Sequence, residues 1–150
     1  MKILVDADNC SRLNAIERIA KSNHIDVILY YDYSRTIEST YSELVQCDIS
    51  SNSVDFIIVN NCSKGDIVIT SDVGLASMAM VKGARVIKNS GKICTNKSIS
   101  YDLNRKSAFM KTKRRAKHLS KINKANYALH DPKRYNFNKN LTRLIKENRS

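Results

Sequence analysis

Met1-Lys-Ile-Leu-Val-Asp-Ala-Asp-Asn-Cys10 opens the chain, and its reading decides the fold. Ile3, Leu4 and Val5 form a short apolar run with no alternation, as expected of a strand covered on both faces. That run goes straight into Asp6 and Asp8. Asp66-Ile-Val-Ile-Thr-Ser-Asp72 repeats the pattern, an apolar strand closing on a carboxylate. In an open parallel sheet the functional crevice lies beyond the carboxyl ends of the strands.

The rest of the chain supplies the partners such a sheet needs. Strands are predicted over 2–6, 26–31, 44–49, 67–70 and 84–88, and helices over 11–22, 53–61 and 73–82, the last stopped by Gly83. Residues 34–42 read as a loop or short helix. Leu13, Ile16, Ile19 and Ala20 form the buried stripe of the first helix, and Val54, Ile57 and Ile58 that of the second. This alternation predicts an α/β fold, a three-layer sandwich with a central parallel sheet. Asn89-Ser-Gly91 is a turn signal, with a small hairpin arm expected over 92–95. Asp131-Pro132 predicts a helix start. Phe137, Leu141, Leu144 and Ile145 then form a stripe that should pack the last helix on the body. The 150 residues are expected to be a single domain, with an α/β body over 1–91 and a basic, mostly helical extension over 92–150.

Like charges gathered at strand ends are costly unless a cation neutralises them. Asp6, Asp8 and Asp72 are therefore candidate catalytic residues and metal ligands, and Asp55, near the start of the second helix, is a fourth ligand candidate. All-oxygen donors point to a hard cation, Mg²⁺ or Mn²⁺, suited to work on phosphate. The plainer alternatives are helix N-caps for Asp8 and Asp72 and a favourable helix-terminus charge for Asp55. Thr70 and Ser71 are placed to orient a carboxylate or bind a phosphate oxygen and Asn9 to supply a neutral oxygen ligand or a substrate contact, whereas Asp66, at the opposite strand end, reads as structural.

Charge is distributed unevenly. Residues 1–91 carry 9 Lys/Arg against 11 Asp/Glu, and residues 92–150 carry 17 against 3. An acidic site beside a strongly basic segment suits an enzyme acting on a polyanion, with nucleic acid as the expected partner and Arg114 and Arg115 gripping its backbone. A solvated, solubilising face is the alternative for the same charges.

Several chemistries are poorly supported. The four glycines are isolated, so no phosphate-cradling loop is present, and His24, His118 and His130 lack metal-type spacing. Cys10, Cys47, Cys62 and Cys94 form no Cys-x-x-Cys pair and read as buried free thiols, with Cys10 packed under the acidic cluster. No apolar run reaches the roughly 20 residues a membrane span needs. Asp6 breaks the opening run too early for a signal peptide, so a cytoplasmic location is expected.

Asp6-Ala-Asp-Asn-Cys10 together with Lys64-Gly-Asp-Ile-Val-Ile-Thr-Ser-Asp72 resembles the YaiI/YqxD family of uncharacterised bacterial proteins. So do Gly83-Ala84, Asn89-Ser-Gly-Lys-Ile-Cys-Thr95 and Arg134-Tyr-Asn-Phe-Asn-Lys-Asn-Leu141. The resemblance implies a PIN-like nuclease fold and a metal-dependent nuclease, its acidic positions falling on Asp6, Asp8 and Asp72, with Asp55 in the place of the acidic residue after the third strand.

The favoured reading is hydrolysis of phosphodiester bonds, in RNA, by a divalent-metal site. A non-catalytic nucleic-acid-binding module is the first alternative. A phosphatase of the haloacid dehalogenase type, with Asp6 as nucleophile, is the second. It leaves the basic half of the chain unexplained.

Overall fold

The computed structural model describes residues 1–48, 53–115 and 134–150. Strands β1 (Ile3–Asp6), β2 (Val27–Asp32), β3 (Glu43–Cys47), β4 (Ile67–Ile69) and β5 (Arg85–Ile87) form one sheet in the order β3-β2-β1-β4-β5. Every pairing is parallel: β1 aligns Ile3 with Val27 on one side and with Ile67 on the other. The chain winds outward from β1 through β2 to β3, then returns to place β4 on the free side of β1. The order therefore reverses between β1 and β4, where open α/β sheets open their crevice.

Alternation along the strands divides the core into two layers. Ile3, Val5, Leu29, Ile67, Ile69 and Ile87 face helices α1 (Leu13–Ser22) and α5 (Phe137–Arg149). Leu4, Tyr30, Val68 and Val86 face α2 (Ser53–Asn61) and α3 (Val73–Val81), with Ile99 of α4 (Asn96–Arg115) closing the same side. The predicted three-layer α/β sandwich with a parallel sheet is the observed one.

Local chemistry sets the element ends. Asp72 caps α3, its Oδ1 accepting from the Leu75 N–H at 2.9 Å. The same helix ends in a paired-bond C-cap: Gly83 N donates to Met80 O, and Ala84 N to Ala79 O. Gly83 supplies the left-handed φ of 85° that this cap requires. Thr95 and Ser98 bond each other's backbone N–H at 2.9 and 3.1 Å and so start α4 as a reciprocal capping box.

The 92–95 segment folds back as expected, with Cys94 N donating to Val86 O at 2.8 Å and an isolated antiparallel bridge between Ile87 and Ile93. Residues 33–42 are an irregular crossover, without a helix.

Most strand and helix ends fall within one or two residues of the sequence reading, α1 starting at Leu13 and not at 11, and two differences have a structural reason. β3 spans Glu43–Cys47, not 44–49, because this edge strand is largely exposed and carries little apolar patterning; Ile49 lies outside the described residues. The last helix begins at Phe137, since residues 134–136 are not helical and Asn136 is the cap, accepting from the Lys139 N–H at 3.0 Å. Asp131-Pro132 and residues 116–128 lie outside the described residues. Phe137, Leu141, Leu144 and Ile145 are buried against the α1 face, as their spacing predicts. Each such side chain contributes about 1.5–3 kcal/mol of burial. Among the described residues no helix is long and apolar enough to cross a membrane.

Candidate active site

Asp6 is the last residue of β1, on the same strand face as Leu4, and it therefore turns toward the α2–α3 layer. It is only 7% exposed. Thr70, fully buried just past β4, donates from Oγ1 to Asp6 Oδ2 at 3.1 Å and accepts from the Asp72 N–H at 3.0 Å. One hydroxyl thus links both carboxylate-bearing strand ends across the point where strand order reverses.

Burial pushes the Asp6 carboxyl up to about 6; the Thr70 hydrogen bond opposes this, while the charges of Asp55, Asp8 and Asp72 add to it. All four sequence-designated carboxylates therefore share one field. Asp55, half-buried in the first turn of α2, is raised by desolvation and by Asp72, with Lys106 acting in the opposite sense. Asp8 lies in the 3₁₀ turn Ala7–Asn9, and its Oδ1 accepts from the Asp32 N–H at 3.1 Å. It caps no helix: α1 starts at Leu13 without a side-chain cap. Asp72 combines two roles. One oxygen caps α3, and Oδ2 faces the Lys106 ammonium at 3.8 Å.

Thr70 thus orients Asp6 directly, while Ser71 is exposed and its Oγ accepts from the Asn89 N–H at 3.4 Å. Asn9 belongs to the 3₁₀ turn and Arg114 and Arg115 end α4, but the side chains of these three lie outside what the structure describes. Asp66 is buried at the opposite end of the sheet, accepting from the Lys2 N–H at 3.0 Å and the Ser63 N–H at 2.9 Å, as a structural residue should. The four cysteines are free and buried, and burial pushes the Cys10 thiol up, away from nucleophilic use.

Two residues of the site were not singled out from sequence. Arg35, from the irregular crossover, donates Nη1 to Ala7 O at 2.9 Å and to Asp8 O, fixing the turn that presents Asp8. Lys106 of α4 faces Asp72 and acts on the charge of Asp55. Lys106 had a partial signal, the basic segment itself; Arg35 had none.

The donor set fits a hard cation, which commonly takes one or two carboxylates and completes its shell with water and phosphate oxygen. It does not form a closed cage: among the described residues no three His, Cys, Asp or Glu side chains have the spacing to hold an ion together.

A model of the family described as "Uncharacterized BCR, YaiI/YqxD family" matches residues 4–147. The chain belongs to this family. The YaiI/YqxD chain is 46% identical over 99 residues to a UPF0178 protein of Clostridium tetani, an alignment covering 66% of this chain and 68% of that one. It is 44% identical over 100 residues to one from Lachnoclostridium phytofermentans, covering 67% of each. Over the longer span of 124 residues it is 36% identical to one from Alkaliphilus oremlandii, covering 83% and 80%. No solved structure matches.

Proposed function

We propose that this protein is a divalent-metal-dependent nuclease of PIN-like type, hydrolysing phosphodiester bonds in RNA. The observation that carries the reading is the Thr70 hydroxyl tying Asp6 to the Asp72 backbone at the sheet's switch point, with Asp55 and Asp8 adding to the charge there. A desolvated carboxylate held among three others is expensive to keep ionised, and a cation offsets that cost.

Asp6 and Asp72 would hold Mg²⁺ or Mn²⁺, with Asp55 and Asp8 adding negative charge around it. A bound ion supplies Lewis acidity and a water of lowered pKa. The remaining work falls to the chain. Thr70 fixes the Asp6 carboxylate, the α3 N-terminus fixes Asp72, Arg35 holds the Asp8 turn, and the basic face of α4 retains the polyanion. Asn9, Ser71, Arg114 and Arg115 are the proposed substrate contacts beyond these.

The test is cleavage of end-labelled RNA with Mg²⁺ or Mn²⁺ against a chelator control, using Asp6→Asn and Asp72→Asn. Asn retains the α3 cap, so Asp72→Asn should fold. Metal-dependent scission that falls at least about 100-fold in both variants supports the reading. Equal turnover in wild type and variants eliminates it. A non-catalytic nucleic-acid-binding role is the second reading, favoured by the Lys106–Asp72 ion pair and the open spacing of the carboxylates. It requires binding that survives chelator, falls steeply with salt and is never followed by scission.

A further inference from the structure

Two of the four carboxylates, Asp55 and Asp72, line a pocket together with Phe56, Met78 and Lys106. A second pocket beside it is lined by Val73, Lys88, Asp102, Arg105, Lys106 and Phe109. Lys106 lines both. One pocket is acidic with an aromatic edge; the other carries three cations against one carboxylate.

Phe56 is the unexpected member of the first. It follows Asp55 in the first turn of α2, yet it is 58% exposed while Ile58 of the same helix fills the core. A lone exposed phenylalanine is ordinary. This one stands in the same pocket as two site carboxylates and a lysine. Lys106 is held loosely there: 3.8 Å from Asp72 Oδ2 is long for a charge-assisted hydrogen bond, and the ammonium is half-exposed. A phosphate oxygen can displace Asp72 as its partner at little cost, because exposed pairs contribute little. α4 repeats the same pairing of aromatic and cation: its exposed Tyr101 lies under the Arg105 guanidinium, 5.7 Å from the ring centre. Over its length α4 carries seven Lys/Arg and one Asp.

We infer that Phe56 and Lys106 grip a single nucleotide beside the carboxylates, the ring stacking its base and the ammonium taking its phosphate. The inference rests on the nucleic-acid reading above and assigns residues that reading left open. An aromatic ring and a cation in one pocket are the parts of a single-strand site, since every base offers a π face and every linkage a charge. A duplex keeps its base faces inside its own stack, so the pocket takes an unpaired nucleotide. Asp55, directly before Phe56, then lies against the linkage next to the stacked base.

Fluorescence anisotropy tests this in chelator, where binding is read without cleavage, using labelled oligoadenylate and a matched RNA duplex. Phe56→Ala should weaken single-strand binding 5- to 150-fold, the equivalent of about 1–3 kcal/mol for one stacked base, and leave duplex binding unchanged. Phe56→Trp should restore it. An oligoadenylate with one abasic nucleotide at the contact should bind wild type more weakly and lose nothing further in Phe56→Ala. Lys106→Ala should lower the log–log salt slope by about 1, while Phe56→Ala leaves the slope alone. Single-strand binding that is equal in wild type and Phe56→Ala overturns the inference and leaves the nucleic-acid reading standing. An equal loss on strand and duplex overturns it too, as does a change of oligomeric state in Phe56→Ala by sedimentation. Absence of any RNA binding by wild type at low salt sinks both.

Discussion

Thr70 and Asp6, sixty-four positions apart, meet through a 3.1 Å hydrogen bond inside the protein. The hydroxyl has two duties, donating to Asp6 and accepting from the Asp72 N–H. Thr70→Val keeps the shape and removes both. It should lower unfolding stability by about 1–3 kcal/mol, the cost of buried polar groups left without partners. Thr70→Ser should retain most of that stability. Urea midpoints of the three proteins decide it, and equal midpoints would show the bond to be idle. A carboxyl NMR titration should also move Asp6 further up in Thr70→Val, since the donor that favours its charged form is gone.

The raised pKa of Asp6 sets the sign of a pH effect. Its folded value, about 6, lies above the ordinary 3.8, so the folded state binds more protons than the unfolded one between those values. This stability contribution is fully present below about 3.8 and is lost as pH rises through about 6. At neutral pH the loss is on the order of 2–3 kcal/mol. Asp6→Asn has no such proton to lose. In metal-free buffer it should be more stable than wild type at pH 7, and its stability should change less between pH 4 and 6.5. Parallel curves for the two proteins would contradict the assignment.

What the sequence made legible follows from burial. β1 and β4 lie in the middle of the sheet, so their residues are uniformly apolar until the chain leaves the core, and Asp6 and Asp72 mark those exits. β3 is an edge strand with exposed Glu43 and Leu44, and its weak pattern moved the expected boundary. Asn136 caps the last helix with no stronger local signal than Asp131-Pro132 gave; docking of Phe137 beside Gly91 decides where the helix packs. Lys106 was hidden because a cation among many on a basic helix reads as solvated surface. Only the packing of α4 against α3 brings that one ammonium to Asp72.

Gly91 is where the turn after β5 touches the start of α5. A Cβ there would lie 2.8 Å from Phe137 N and 2.9 Å from Phe137 Cα, and φ is 92°. Gly65 has a similar φ of 86° with nothing within 4 Å of the same position. The pair separates conformational strain from collision. Gly65→Ala should cost about 1–2 kcal/mol for the left-handed backbone alone. Gly91→Ala should cost roughly 2–5 kcal/mol, because α5 must also move off its seat. Thermal unfolding of both variants checks this, and equal losses would mean that the Phe137 contact relaxes freely.

Removal and return of metal give a readout independent of turnover. An ion that binds the folded carboxylates stabilises the protein by mass action, about 2.7 kcal/mol at a hundred times its dissociation constant. For a chain of this size that raises the melting temperature by about 5–10 °C. Mn²⁺ added to chelator-treated wild type should produce such a rise. Asp6→Asn and Asp72→Asn should abolish most of it, while Asp66→Asn, altered at the far end of the sheet, should keep the full increment on its own lower baseline. Lys106→Met should enlarge the response, because the ammonium 3.8 Å from Asp72 Oδ2 competes for the same charge. A rise that is the same in Asp6→Asn and wild type would place the ion elsewhere on the molecule. A rise abolished by Asp72→Asn but indifferent to Lys106→Met would mean that the ion and the ammonium occupy different sides of that carboxylate.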